Sequence, residues 1–161
     1  MKKISCLLGF IILFFMTSCT VNSDSDILGE WEIVNIKENE WWYYNYEDGT
    51  ISDTQYYADE YTLDPEHPEW YMLRIKRGFM TIKEAGADVD EIIVNVPFPY
   101  TFKGNKLTSI LLAFDHTNSV TVSFPNDNTM IWYVDDSGDL EESSYGGYEH
   151  YEAWMTYRRI E

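Results

Sequence analysis

The sequence predicts an all-β domain, an antiparallel meander closing into a barrel of about eight to ten strands. Three observations predict it. Beyond residue 29 no segment carries a sustained helical stripe. Short runs alternate apolar and polar residues, as a two-faced strand must. Turn residues separate consecutive runs by only a few positions, which joins sequential strands as neighbours.

The first strand is expected from Gly29-Glu30-Trp31-Glu32-Ile33, with Trp31 and Ile33 on one side and Glu30 and Glu32 on the other. Glycine permits a sharp entry, and an indole two residues later suits the closed end of a barrel. Trp41-Trp42-Tyr43-Tyr44-Asn45-Tyr46 is aromatic on both faces and reads as an extra strand that ends at Asp48-Gly49. Residues 54–63 read as a strand, and the two prolines of Asp64-Pro65-Glu66-His67-Pro68 stiffen the loop that follows. Tyr71, Leu73 and Ile75 alternate with Met72, Arg74 and Lys76, and Arg77-Gly78 turns the chain back. Tyr100-Thr101-Phe102-Lys103 meets Gly104-Asn105, a hairpin pair that accepts positive φ, and residues 106–115 return. Val120, Val122 and Phe124 form the cleanest alternation in the chain. Residues 129–135 are the penultimate strand, 137–147 a long Gly, Ser and acid-rich loop, and 148–161 the last strand.

Before the barrel, Lys2 and Lys3 precede an apolar run over residues 7–16, too short to span a bilayer, which takes roughly 20 residues. It ends in Met16-Thr17-Ser18-Cys19, which resembles the lipobox of bacterial lipoproteins. The resemblance implies a signal peptide over 1–18, lipidation of Cys19 and a polar tether over 19–26, with the barrel over 27–161. Thr20, a residue other than Asp after the cysteine, implies by the same resemblance a lipid anchor in the outer membrane of the cell envelope. Whether the domain faces the periplasm or the exterior stays open.

The chain has 161 residues, and cleavage before Cys19 leaves 143, enough for one domain with a real core. Cys6 and Cys19 are the only cysteines, so the barrel has neither a disulfide nor a thiolate metal site. Loss of Lys2 and Lys3 leaves 9 basic against 28 acidic residues, a balance of −19 that argues against nucleic acid and anionic lipid as partners. The 27 aromatic residues suit either a barrel interior or a flat binding surface.

Gly29-x-Trp31 at the start, the hairpin Tyr100-x-Phe102-x-Gly104-Asn105, the strand Thr129 to Tyr133 and the ending Tyr157-Arg158-Arg159 together resemble the lipocalin-like domains of small Gram-negative lipoproteins. That resemblance implies a barrel floor in which an arginine of the last strand packs over the Trp31 indole, Arg159 in the first place and Arg158 as the alternative. It also implies a small amphipathic or apolar ligand inside the barrel. Alternation along the meander selects Trp31, Tyr100, Phe102, Val122 and Trp132 as inward lining residues. The competing expectation is a filled barrel that meets a protein or glycan through the aromatics near Trp41.

No catalytic constellation stands out, and the chain is not expected to be an enzyme. The carboxylates are so many that paired acids arise by chance, and a glycosidase's pair is defined by its separation inside a cleft rather than by sequence spacing. His67, His116 and His150 sit in or near expected turns with no ligand spacing, and Asp135-Asp136-Ser137-Gly138-Asp139 does not place its glycine at the sixth loop position and lacks the terminal glutamate of a calcium loop. No metal and no cofactor are expected.

Overall fold

A computed structural model of the protein describes residues 24–112, 117–139 and 146–160. A single turn of helix, α1 (Asp24–Ile27), leads into nine antiparallel strands: β1 (Gly29–Tyr44), β2 (Gln55–Thr62), β3 (Tyr71–Lys76), β4 (Phe79–Ala85), β5 (Pro97–Lys103), β6 (Lys106–Ser109), β7 (Ser119–Asn126), β8 (Thr129–Asp139) and β9 (Gly147–Ile160). From β3 to β9 each strand pairs with the next, and β9 pairs back onto β1 from Glu30↔Ile160 to Tyr44↔Gly147. β1 in turn pairs with β3 through Gly29↔Ile75 and Glu32↔Met72, which closes a barrel of eight strands.

β2 is the ninth strand and lies outside that closure. It pairs with the upper half of the same β1 edge, from Asn35↔Thr62 to Trp42↔Gln55, above the part that β3 uses. This corrects the expectation of a separate strand at Trp41: residues 41–44 continue β1, and the extra strand is β2. β1 can serve two partners along one edge because it is 16 residues long, whereas β6 has only 4. β1, β8 and β9 therefore rise past the short strands, and with β2 they form a high wall on one side of the barrel's mouth. Among the described residues no strand covers the far side of β2. The alternation begun by the Leu63 N–H to Val34 carbonyl bond turns the Glu60 N–H toward that open side, where the Asp59 carboxylate accepts it at 2.8 Å.

Two further expectations need correction. Ser137, Gly138 and Asp139 belong to β8 rather than to a loop, because His150, Glu149 and Tyr148 pair with them. The return from the Gly104-Asn105 hairpin is a strand only over Lys106–Ser109, followed by a 3-10 turn at Ile110–Leu112.

The core is drawn from all eight barrel strands and from α1. Ile27, Trp31, Ile33, Leu73, Met80, Leu107, Val122, Met130, Trp132, Val134, Ala153 and Tyr157 are buried, spanning the same 27–157 segment that closes on itself. Alternation explains most of this set: Leu73 and Ile75 face in while Arg74 and Lys76 face out. One break in alternation matters more than the rest. Between Ile33↔Tyr157 and Asn35↔Thr156 the β1–β9 register shifts, so Val34 is an extra residue in a β-bulge. Past that bulge the inward set becomes Ile36, Glu38, Glu40 and Trp42, paired with Met155, Ala153, Tyr151 and Glu149.

Candidate functional site

The barrel has two distinct ends. At the floor, Trp31 and Arg159 are direct cross-strand partners, which sets both side chains on the same face. The Arg159 guanidinium lies 4.2 Å from the centre of the Trp31 ring. Its three nitrogens donate to the carbonyls of Asp127, Leu28 and Asp26 at 2.9, 2.9 and 2.8 Å. The Trp31 indole N–H donates to the Ile27 carbonyl at 3.0 Å, and Phe124 packs 6.2 Å away. Gly29 holds φ +144°, and a Cβ there would come within 2.8 Å of an Arg159 nitrogen. Arg158 has the opposite parity and points outward, its Nε 2.7 Å from Glu32.

Of the five selected lining residues, Trp31 belongs to the floor, and Tyr100, Phe102, Val122 and Trp132 face the interior above it in the pairs Tyr100↔Ser109, Phe102↔Leu107 and Val122↔Trp132. Trp31, Val122 and Trp132 are enclosed, Phe102 nearly so, and Tyr100 is half-buried. Trp132 packs against Tyr157 at 4.5 Å between ring centres and directs its N–H at the Met130 sulfur. The Tyr157 and Tyr71 hydroxyls meet in the same layer. Burial pushes the Tyr71 phenol up to about 12, and burial followed by the neighbouring Tyr71 also raises Tyr157. Large side chains thus fill the lower barrel.

The mouth is the part that sequence reasoning missed. On the inner face of the high wall, Ile36, Tyr61 and Tyr151 pack on the core, and Trp42 and Tyr57 extend that aromatic surface upward. Glu38, Glu40 and Glu149 share the face, with Asp59 and Glu69 beside it. The Tyr151 hydroxyl donates to Glu38 at 3.2 Å, and the Tyr61 hydroxyl to Glu69 at 2.8 Å. Burial, then the nearby carboxylates, raise the pKa of Tyr151; burial and the Glu69 bond raise that of Tyr61. The Glu40 carboxyl is also raised, first by burial and then by repulsion from Glu149 and Glu38. The arrangement is a concave aromatic wall carrying excess negative charge. The signal that could have found it is the spacing Glu38, Glu40, Trp42, which places all three on one side of an extended strand.

The outer face of the same wall carries a second aromatic group. Trp41 packs between Tyr148 (5.4 Å) and His150 (5.3 Å), and Tyr43 stacks on Tyr148 at 6.1 Å. Tyr133 meets Trp154 at 5.2 Å, with the Lys37 ammonium over that indole at 5.7 Å. Two pockets open on the outer faces of β3 and β4. One of about 760 Å³ is bordered by Trp70, Met72 and Glu84, and one of about 280 Å³ by Arg74, Lys76, Phe79 and Lys83. His67 stacks on Tyr61, while His116 and Cys19 lie outside the described residues. Among the described residues no three His, Cys, Asp or Glu side chains are placed to hold a metal ion.

The fold defines a closed antiparallel barrel of eight strands, consistent with a calycin-like architecture. No protein-family model matches the chain, and neither a curated protein nor a solved structure is detectably similar to it.

Proposed function

We propose that this chain is a lipid-anchored, lipocalin-like lipoprotein of the cell envelope, and that it takes a small cationic or neutral amphipathic molecule at the barrel's mouth. One observation carries the ligand reading. Above a filled lower barrel, the concave wall presents Ile36, Trp42, Tyr57, Tyr61 and Tyr151 together with Glu38, Glu40 and Glu149. Aromatic faces attract a cation through their quadrupole, by ~1–2 kcal/mol once water is excluded, and carboxylates add to that attraction. A fatty-acid carboxylate would meet repulsion at the same wall. The five interior residues Trp31, Tyr100, Phe102, Val122 and Trp132 then support the seat from below.

A fluorescent alkylammonium probe tests this reading. It should saturate at one site, and Glu38→Gln with Glu40→Gln should weaken it about tenfold, the factor that corresponds to 1.4 kcal/mol. An anionic probe of the same chain length should not bind. Acidity gives a second test with a worked-out sign. Glu40 takes up its proton above the ordinary value of 4.5, so cation affinity should begin to fall on acidification before ordinary glutamates titrate. The folded chain holds this proton more tightly than the unfolded chain, so Glu40's contribution to stability rises over the same window. Affinity and stability therefore move in opposite directions. Equal binding of both probes, or no effect of the double substitution, would count against the seat.

The anchor rests on the apolar run that ends in Met16-Thr17-Ser18-Cys19. Cys19→Ala should accumulate as an uncleaved precursor, and a normally processed, acylated product from that variant would refute the assignment. The outer group of Trp41, Tyr43, Tyr148 and His150 favours a second reading, a platform for a protein or glycan partner.

A further inference from the structure

Charge on this molecule is sorted by position. Arg74, Lys76, Arg77, Lys83, Lys103 and Lys106 are six of the chain's 11 Lys and Arg residues. They fall in the stretches 70–83 and 97–112, which hold none of its 28 Asp and Glu residues. Those stretches form β3, β5, β6 and the floor-end part of β4, whose one acidic residue, Glu84, lies toward its far end. Arg74 and Lys83 are engaged by Glu30 of β1, at 2.6 and 2.8 Å. Lys76, Arg77, Lys103 and Lys106 are exposed and make no ion pair among the described residues.

These four cations occupy the β3–β4 and β5–β6 hairpins, both at the floor end. Gly29, where β1 begins, pairs with Ile75, the residue before Lys76. Phe79 completes the first hairpin and is 53% exposed beside the cationic pocket of about 280 Å³. Among the described side chains, the carboxylates at this end are Glu30 and Glu32, bound by Arg74 with Lys83 and by Arg158, together with Asp26 beneath the floor and Asp127 in the β7–β8 hairpin; Asp24 begins α1. The opposite end carries the acidic wall.

The chain outside the described residues also joins at this end, because α1 packs on the floor through the Arg159 bond to the Asp26 carbonyl. Only four residues lie between Cys19 and Asp24, and the five chain steps span at most ~3.6 Å each. A lipid on Cys19 would thus hold the floor within about 20 Å of a bilayer. Charges interact with headgroups over about 8 Å at physiological salt, so the hairpin tips matter there and the remote wall does not. Net charge alone speaks against anionic lipid; its distribution reverses that conclusion locally.

We infer that the floor-end face of β3 to β6 is a docking surface for the anionic headgroups of a bilayer. Lys76, Arg77, Lys103 and Lys106 engage phosphates, Phe79 enters the headgroup layer, and the mouth points away from the membrane. The upright orientation rests on the proposed anchor at Cys19; the surface itself does not.

The test separates the two. The chain from Thr20 onward, which contains the whole 27–157 core, is tethered by an N-terminal His-tag to nickel-chelating vesicles, so no acylation is needed. Hydrogen exchange is compared on phosphatidylcholine alone and with phosphatidylglycerol added. Amides 76–79 and 103–106 should exchange at least about fivefold more slowly on the anionic vesicles, and 1 M salt should remove the protection. K76E/R77E and K103E/K106E, both at hairpin tips, should remove it while leaving the denaturation midpoint unchanged. Equal exchange on both vesicles, or protection of amides 38–42 instead, would overturn the inference. A failure of acylation in cells would leave this result intact and remove only the anchor.

Discussion

Trp31→Ala should lower the stability of the mature domain by about 3–5 kcal/mol, the range for truncating a large buried aromatic residue. The indole is fully buried and closes the barrel between Ile27 below and Ile33 above. Its removal leaves a cavity lined by Phe124 and the Arg159 guanidinium, and a desolvated cation–π contact worth ~1–2 kcal/mol goes with it. Arg159 keeps its three carbonyl acceptors, so the floor should loosen rather than unravel. Equilibrium unfolding in urea measures the loss. Arg158→Ala is the matched control. Arg158 is 65% exposed while Glu32 is only 17% exposed, so this pair contributes more than the ~0–1 kcal/mol of a fully exposed one, yet less than the buried indole. A loss from Arg158→Ala as large as that from Trp31→Ala would contradict the described floor.

Gly86→Ala should cost about 3 kcal/mol, at the upper end of overpacking. Gly86 follows β4 and lies against the loop before β3. A Cβ there would collide with the His67 carbonyl oxygen and sit 2.5 Å from that of Pro68. Both obstacles are backbone, pinned by the Gly86 N–H to the Trp70 carbonyl and the Asp88 N–H to the Pro68 carbonyl. Two prolines stiffen residues 64–70 against retreat. Hydrogen exchange in the variant should accelerate at residues 67–70 and 86–88 before the rest of the barrel. A variant as stable as the parent would mean that the two loops separate at little cost.

The strand content was legible where side chains alternate and turn residues intervene. Val120 and Val122 are buried and Thr121 and Ser123 exposed, as their pattern requires. The partners Trp31 and arginine were legible as a pair because they stand at the two ends of the domain. The choice between Arg158 and Arg159 was not, since it depends on the Trp31↔Arg159 register. Continuous alternation through Val34 would have turned Asn35, Lys37, Asn39 and Trp41 inward; the bulge turns Ile36, Glu38, Glu40 and Trp42 inward instead. The acidic mouth was therefore hidden, because a bulge has no side-chain signature here and charged strand residues ordinarily face water. Ser137 and Gly138 misled for a different reason. Their weak intrinsic preference for strand is overruled by pairing with the long β9.

β2 has a consequence for how many copies of this molecule can share a surface. Tyr56 (67% exposed) and Tyr57 stand on its two faces, and its open side carries backbone groups that no strand of the described residues pairs. Such an edge is where one molecule can knit to another and where a fibre would nucleate. Asp59 occupies the Glu60 amide, and adjacent negative charges at Asp59 and Glu60 would stand against their own images on a neighbouring copy. The chain thus keeps an aromatic edge exposed while denying it to itself, and a dense population of identical copies can remain a population of separate molecules.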